Sequence, residues 1–109
     1  MRIWDVSPKI LCRQHLLGEH RELHALWTII SENKKGYSKH PETLRWYGKL
    51  HALFLRHEEL VSELISRGYK HSSPLDKKFA KGDPVQQIYI HTITEQLEIL
   101  RTKKCECKI

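Results

Sequence analysis

Hydrophobic residues recur at helical spacing in three stretches of the chain, and no stretch shows the alternation of a half-buried strand. The first stretch carries an apolar stripe at Leu16, Leu23, Trp27 and Ile30. This stripe predicts a first helix that runs to about Asn33.

A helix-start signal precedes the first stripe at Ser7 and Pro8, because serine caps helix N-termini and proline suits the first helical position. The signal opens either a short turn or the first helix itself. After the helix, residues 34–41 read KKGYSKHP, a basic stretch whose glycine and proline predict a loop.

The second stretch predicts a longer helix from about Glu42 to Arg67, with Gly68 placed to end it. Its core positions are Leu50, Leu53, Leu60 and Leu64. Residues 69–91 contain Pro74, Gly82 and Pro84 and are expected to be irregular.

The third stretch is short, and Thr92 and Glu95 form the capping box that starts it. Its core positions are Ile93, Leu97 and Leu100. The polar tail, residues 103–109, is expected to fray. We therefore predict an all-α fold, a compact three-helix domain over residues 1–109, with the N-terminal segment packed between or against the helices.

A chain of 109 residues is expected to form one domain that buries roughly 60–65% of the surface its unfolded form exposes. Charged residues at 29% and hydrophobic residues at 39% are ordinary for a globular protein. The net charge of +6 and the isoelectric point near 9.3 favour a polyanionic partner, because each neutralised phosphate releases condensed counterions.

Membrane insertion is not expected, because no apolar run approaches the ~20 residues that a membrane span requires. The chain has three cysteines, Cys12, Cys105 and Cys107. An odd number, with two cysteines one residue apart, argues against a disulfide scaffold and favours a reducing cytoplasm.

The polar face of the first helix carries Gln14, Gly18 and Arg21, with His15 and Glu22 beside them. A glycine inside a helix costs about 1 kcal/mol relative to alanine, so something is expected to approach closely at that position. A nucleic-acid backbone, the N-terminal segment and tight helix packing are the three candidates.

The α-amino group is a candidate nucleophile. Its reference pKa near 7.8 leaves about a fifth of it unprotonated at pH 7.2, against under about 0.1% of a lysine. Met1 is expected to be retained, since aminopeptidases remove methionine only before small residues and Arg2 follows it.

Four motifs together resemble a known family: Arg2-Ile3, Gln14-His15-Leu16 with Glu19, Arg21-Glu22-Leu23, and Lys49-Leu50 through Arg67-Gly68-Tyr69. The chain resembles the pyrimidine-dimer DNA glycosylases of the bacteriophage endonuclease V type. The resemblance covers about the first 70 residues against the phage enzyme. Against shorter bacterial members it is nearly full length and includes residues 73–78.

The resemblance implies an enzyme that excises cyclobutane pyrimidine dimers and then cuts the strand as an abasic-site lyase. It implies that the Met1 amine is the nucleophile and that Glu22 is the catalytic carboxylate. Contacts to DNA around the lesion are implied for Arg2, Gln14, His15 and Arg21. No metal or cofactor is expected, because a Schiff base serves as the electron sink.

Damaged double-stranded DNA is the expected partner, and we expect the protein to act as a monomer. The loop lysines Lys34, Lys35 and Lys39 are expected to share the DNA-facing side. Two features depart from the phage enzyme: Ala25 replaces a further arginine of the first helix, and the aromatic-rich C-terminal tail is missing.

Two other interpretations remain. A metal-dependent hydrolase could use His20 and His24, although H-R-E-L-H differs from the H-E-x-x-H zinc motif. Cys105 and Cys107 could bind metal with Cys12 or a histidine. A non-catalytic DNA-binding module would also suit the charge, and borohydride trapping on abasic DNA would distinguish it from the enzyme.

Overall fold

The computed structural model describes residues 2–36, 38–71, 74–103 and 107–108. Over these ranges the regular structure consists of helices α1 (Arg13–Ser31), α2 (Pro41–Leu44), α3 (Leu50–Ser66) and α4 (Ile93–Thr102). Single turns of 3-10 helix lie at Pro8–Ile10 and Lys77–Phe79. The predicted all-α class is confirmed, with four helices in place of three.

The helix-start signal at Ser7 and Pro8 opens the short turn. The Ser7 hydroxyl accepts a hydrogen bond from the Lys9 amide, and α1 begins separately at Arg13. The apolar stripe of α1 is buried as predicted, with Leu16 and Leu23 fully inaccessible. This stripe packs against α3, where the leucines at positions 53, 60 and 64 are also buried.

The prediction of one continuous helix from Glu42 to Arg67 is wrong. A turn separates α2 from α3, and Gly48 within it has a φ of +73°, which does not fit a helix. Gly82 packs directly against this turn: a Cβ on Gly82 would lie 2.1 Å from the Gly48 carbonyl oxygen. The two glycines therefore permit a close backbone contact that local sequence does not reveal.

The same contact caps the N-terminus of α3. The amides of His51 and Ala52 donate to the carbonyls of Lys81 (2.9 Å) and Asp83 (3.2 Å), and the Asp83 amide donates to Gly48 (2.9 Å). Amides in the first turn of a helix have no partner within the helix. Residues 81–83 supply those partners and fix the long irregular segment against α3.

The N-terminal segment packs against the helices, as predicted, and Ile3, Trp4 and Val6 are almost fully buried. Arg45 holds it from one side: its Nη2 donates to the Ile3 carbonyl at 2.9 Å and lies 3.1 Å from the Asp5 carboxylate. The same nitrogen is 2.7 Å from Glu42 at the start of α2.

Arg56 of α3 holds the segment from the other side. Its Nη1 donates to the Val6 carbonyl at 2.8 Å, and its other nitrogens bind Glu19 at 2.7 and 3.0 Å. Both side chains are buried, so removal of either partner would leave an uncompensated charge at a cost of about 3–5 kcal/mol. Sequence analysis did not assign a role to Arg56.

Helix α4 begins at the predicted capping box, with both Thr92–Glu95 hydrogen bonds present. Leu100, one of its predicted core positions, is buried. The prediction that Ile93 is a core position is wrong, because its side chain is exposed. Gln96 of α4 exchanges two hydrogen bonds with Asp5, at 2.8 and 2.9 Å. The N-terminal segment therefore contacts the last helix as well as the first three.

The prediction of a frayed tail is wrong for two residues. The Lys108 amide donates to the Ile10 carbonyl at 2.8 Å, and the Cys12 amide donates to Cys107 Sγ at 3.1 Å. Cys105 lies outside the described residues. None of the helices in the described ranges is both long and apolar enough to cross a membrane.

Candidate active site

A cleft of about 280 Å³ opens where the N-terminal segment, α1 and the end of α4 meet. Its lining residues are Arg2, Trp4, Gln14, His15, Gly18, Glu19, Glu22, Ile99 and Lys103. Four of these are predicted site residues. The structure thus brings Arg2, from the N-terminal segment, together with Gln14, His15 and Glu22 of α1.

Glu22 is the carboxylate available for chemistry in this cleft. It is half-buried, and no hydrogen-bond or ion-pair partner for it exists among the residues that the structure describes. Glu19 also lines the cleft, but it is 2% exposed and bound to Arg56. Burial raises the pKa of the Glu19 carboxyl against the opposing effect of Arg56, which marks Glu19 as a structural residue.

Gly18 leaves open space on the α1 side of the cleft. Apart from its chain neighbours and the adjoining backbone of α1, no atom of the described residues lies within 4 Å of the position that a Cβ would take there. Tight helix packing is therefore not the reason for this glycine, and neither is contact with the described part of the N-terminal segment. The open surface beside Glu22 can admit another molecule.

Arg2 is held at the mouth of the cleft. Its guanidinium carbon stacks 4.8 Å from the centre of the Trp4 ring, and its Nη1 lies 3.3 Å from His91 Nδ1. The guanidinium therefore adds a positive charge to the cleft that Glu22 also lines. Met1, the predicted nucleophile, lies outside the described residues.

His15 lines the cleft while its Nδ1 lies 3.2 Å from the sulfur atoms of both Cys12 and Cys107. Burial, and then the charge of Lys103, lower the pKa of His15. Cys12, His15 and Cys107 hold their potential ligand atoms within 4.8 Å of one another. The alternative of a metal site that joins Cys12 to the C-terminal cysteines thus has Cys12, a histidine and Cys107 together, and Cys105 lies outside the described residues.

The remaining predicted DNA-contacting residues lie outside the cleft. Arg21 is exposed on α1. Lys34 follows the end of α1 and forms an exposed ion pair with Glu32 at 3.8 Å. Lys35 and Lys39 line a separate shallow groove. Helix α1 ends at Ser31, nine positions after Glu22, which corresponds to about 14 Å along the helix axis.

Three residues that line the cleft were not predicted from the sequence, namely Trp4, Ile99 and Lys103. Arg56, which forms the buried ion pair with Glu19, was not predicted either. A signal for Arg56 existed, since it lies three residues after Leu53 and four before Leu60 on the apolar stripe of α3. An arginine on a buried stripe is expected to need a buried acidic partner.

Comparison with known proteins gives one match. A family model described as pyrimidine dimer DNA glycosylase matches residues 1–77. No curated protein and no solved structure gives a significant match. The matched range contains the N-terminal segment and helices α1 to α3, and it therefore includes Arg2, Glu22 and the Glu19–Arg56 pair beneath them.

Proposed function

The chain belongs to the pyrimidine dimer DNA glycosylase family, a family of DNA repair enzymes, and from this premise we propose a two-step chemistry for it. In the first step the protein excises a cyclobutane pyrimidine dimer from double-stranded DNA. In the second step it cuts the strand as an abasic-site lyase. The Met1 α-amine forms the Schiff base that links the two steps.

One observation supports this proposal above the others. Glu22 lines the same cleft as Arg2, the residue to which Met1 is directly joined. The segment that follows Arg2 is fixed by Arg45, Arg56 and Gln96. A nucleophile needs such a fixed approach to a reacting carbon, within about 3–3.5 Å.

The proposed reaction begins when the neutral Met1 nitrogen attacks C1′ of the 5′ nucleotide of the dimer. The C1′–base bond breaks, the base takes the electron pair, and the nitrogen loses a proton. Glu22 stabilises the oxocarbenium-like positive charge on the sugar. A half-buried carboxylate does this effectively, because water screens its negative charge less than it would at an exposed position.

The sugar ring then opens and leaves an imine between Met1 and C1′. The imine accepts the electron pair when a proton leaves C2′, so that β-elimination breaks the C3′–oxygen bond and cuts the strand on the 3′ side. Water releases the protein from the imine at the end. Every step before this hydrolysis uses groups of the protein and of the DNA.

We propose that Arg2, Gln14 and His15 contact the DNA around the lesion inside the cleft. Arg21, which directly precedes Glu22, is proposed to contact the DNA around the lesion from outside the cleft. The loop lysines Lys34, Lys35 and Lys39 are proposed to bind phosphates further along the duplex, with the protein acting as a monomer. Flipping a base out of the duplex costs a few kcal/mol, and a damaged base pair lowers that cost.

A duplex with one cyclobutane dimer tests the proposed function. We expect cleavage of the C1′–base bond of the 5′ nucleotide and a nick at the dimer, with an undamaged duplex of the same sequence left intact. Cleavage of the C1′–base bond without a nick would contradict the lyase step. Binding of both duplexes with neither bond broken would contradict the enzyme and favour a non-catalytic DNA-binding module.

Substitution of Gly18 tests whether DNA approaches α1 in the cleft. Gly18→Ala is expected to stabilise α1 by up to about 1 kcal/mol, because alanine restricts the unfolded chain and favours the helix. The added methyl group would occupy the open surface beside Glu22. We therefore expect a higher Tm together with a severalfold fall in kcat/KM for dimer excision.

Ser31→Ala is a suitable control, since it also raises the helix propensity of α1 but lies outside the cleft. It should raise the Tm without affecting excision. Unchanged excision by Gly18→Ala would show that DNA does not approach this part of α1.

A further inference from the structure

Four imidazole rings converge on the side of α1 away from the cleft. They belong to His20, His24, His57 and His71, which we call the four-histidine cluster. Their potential ligand nitrogens all lie within 4.8 Å of one another. Two pairs of Nε2 atoms are 3.1 Å apart, one between His20 and His71 and one between His24 and His57.

These separations match a tetrahedral metal site. Nitrogen ligands about 2.0–2.1 Å from Zn²⁺ stand about 3.3–3.4 Å from one another. The two contacts of 3.1 Å are already close to that value, and no separation within the cluster needs to shorten by more than about 1.5 Å. Small side-chain rotations can supply this change.

Two members of the cluster lie in surroundings that disfavour a charged imidazole. Burial first, and then the neighbouring histidines, lower the pKa of His20 to about 4 and also lower the pKa of His24.

The most buried member of the cluster has an oriented ring. His57 is fully inaccessible, its Nε2 faces His24, and its Nδ1 lies 3.1 Å from the carboxylate of Glu58. A carboxylate on the second ring nitrogen is the common arrangement for histidine ligands of metals, because it fixes the tautomer with the lone pair on the metal side.

We propose that the four-histidine cluster binds one divalent transition-metal ion of the Zn²⁺ type as a structural site. Four protein ligands fill a tetrahedral shell and leave no open position for substrate, which distinguishes the site from a hydrolytic centre. His20 and His24 also point about 160° away from Glu22 around the axis of α1.

The bound ion would connect α1, α3 and the segment that follows Gly68. Glu19 and Arg56, the ion pair beneath the cleft, are the sequence neighbours of His20 and His57. The ion would therefore strengthen the same helix contact that supports the cleft, without itself touching DNA.

The test uses the full chain, freed of metal by a chelator and then titrated with Zn²⁺ or Co²⁺. We expect one equivalent to bind and, with Zn²⁺ in about hundredfold excess over its Kd, the Tm to rise by about 10 °C. Bound Co²⁺ should give the visible absorption of a tetrahedral ion without a thiolate charge-transfer band. Such a band would place the ion at Cys12 and Cys107 and contradict the proposal.

Matched variants locate the site. His20→Asn and His71→Asn change half-buried members of the cluster and should reduce the Zn²⁺-dependent rise in Tm by at least half. His51→Asn changes a half-buried histidine of α3 outside the cluster and should keep the full rise. Equal effects of all three variants, or no rise in the unmodified protein, would overturn the proposal.

Discussion

One residue added before Met1 is expected to abolish strand cleavage while the helices and DNA binding stay intact. An added residue moves the amine by up to ~3.5 Å, which exceeds the tolerance of a nucleophile that must lie within about 3–3.5 Å of C1′. The segment cannot shift to compensate, because Ile3 and Trp4 are buried. Acetylation of the amine should have the same effect, since it removes the basicity of the nitrogen.

A pair of tagged proteins makes this comparison. One carries an uncleaved tag before Met1, and the other carries the same tag after Ile109. Only the second should nick ultraviolet-irradiated plasmid, and both should bind DNA with the same dependence on salt. Equal nicking by the two proteins would exclude the α-amine as the nucleophile.

Glu22→Gln is expected to lower the rate of base excision by on the order of 10²–10³-fold, a loss typical when one group that stabilises transition-state charge is removed. Glutamine keeps the shape of the side chain but cannot oppose the positive charge on the sugar. Glu22 has no partner among the described residues, so the fold should be unaffected. Single-turnover excision and the Tm measure the two effects.

Glu98→Gln is the matched control, because it removes the same charge from an exposed position of α4 that does not line the cleft. Both variants gain one unit of net charge, so an electrostatic effect on DNA affinity would appear in both. Near-normal excision by Glu22→Gln would remove Glu22 from the mechanism.

Local patterns predicted those features of the fold that depend on neighbouring residues. The buried stripe of α1 and the capping box of α4 follow from spacings of three and four residues. The break before α3 could not be predicted in this way, because it depends on Gly82, which packs against Gly48 from 34 residues away (82 − 48). Long-range backbone contacts leave no periodic signal.

The same distinction holds for the sites. The family motifs predicted Arg2, Gln14, His15 and Glu22, and the structure places all four along one cleft. The sequence showed the pair formed by His20 and His24, since both lie on one helix. His57 and His71 could not be found from helical spacing, because tertiary packing places them next to His20 and His24.

The position of the covalent bond between protein and DNA tests the central claim most directly. Borohydride reduces an imine to a stable amine, so the protein can be trapped on a dimer-containing duplex, digested and mapped by mass spectrometry. The proposed mechanism predicts a single adduct on the α-nitrogen of Met1. An adduct on a lysine such as Lys103, or cleavage of the C1′–base bond and nicking with no adduct, would contradict it.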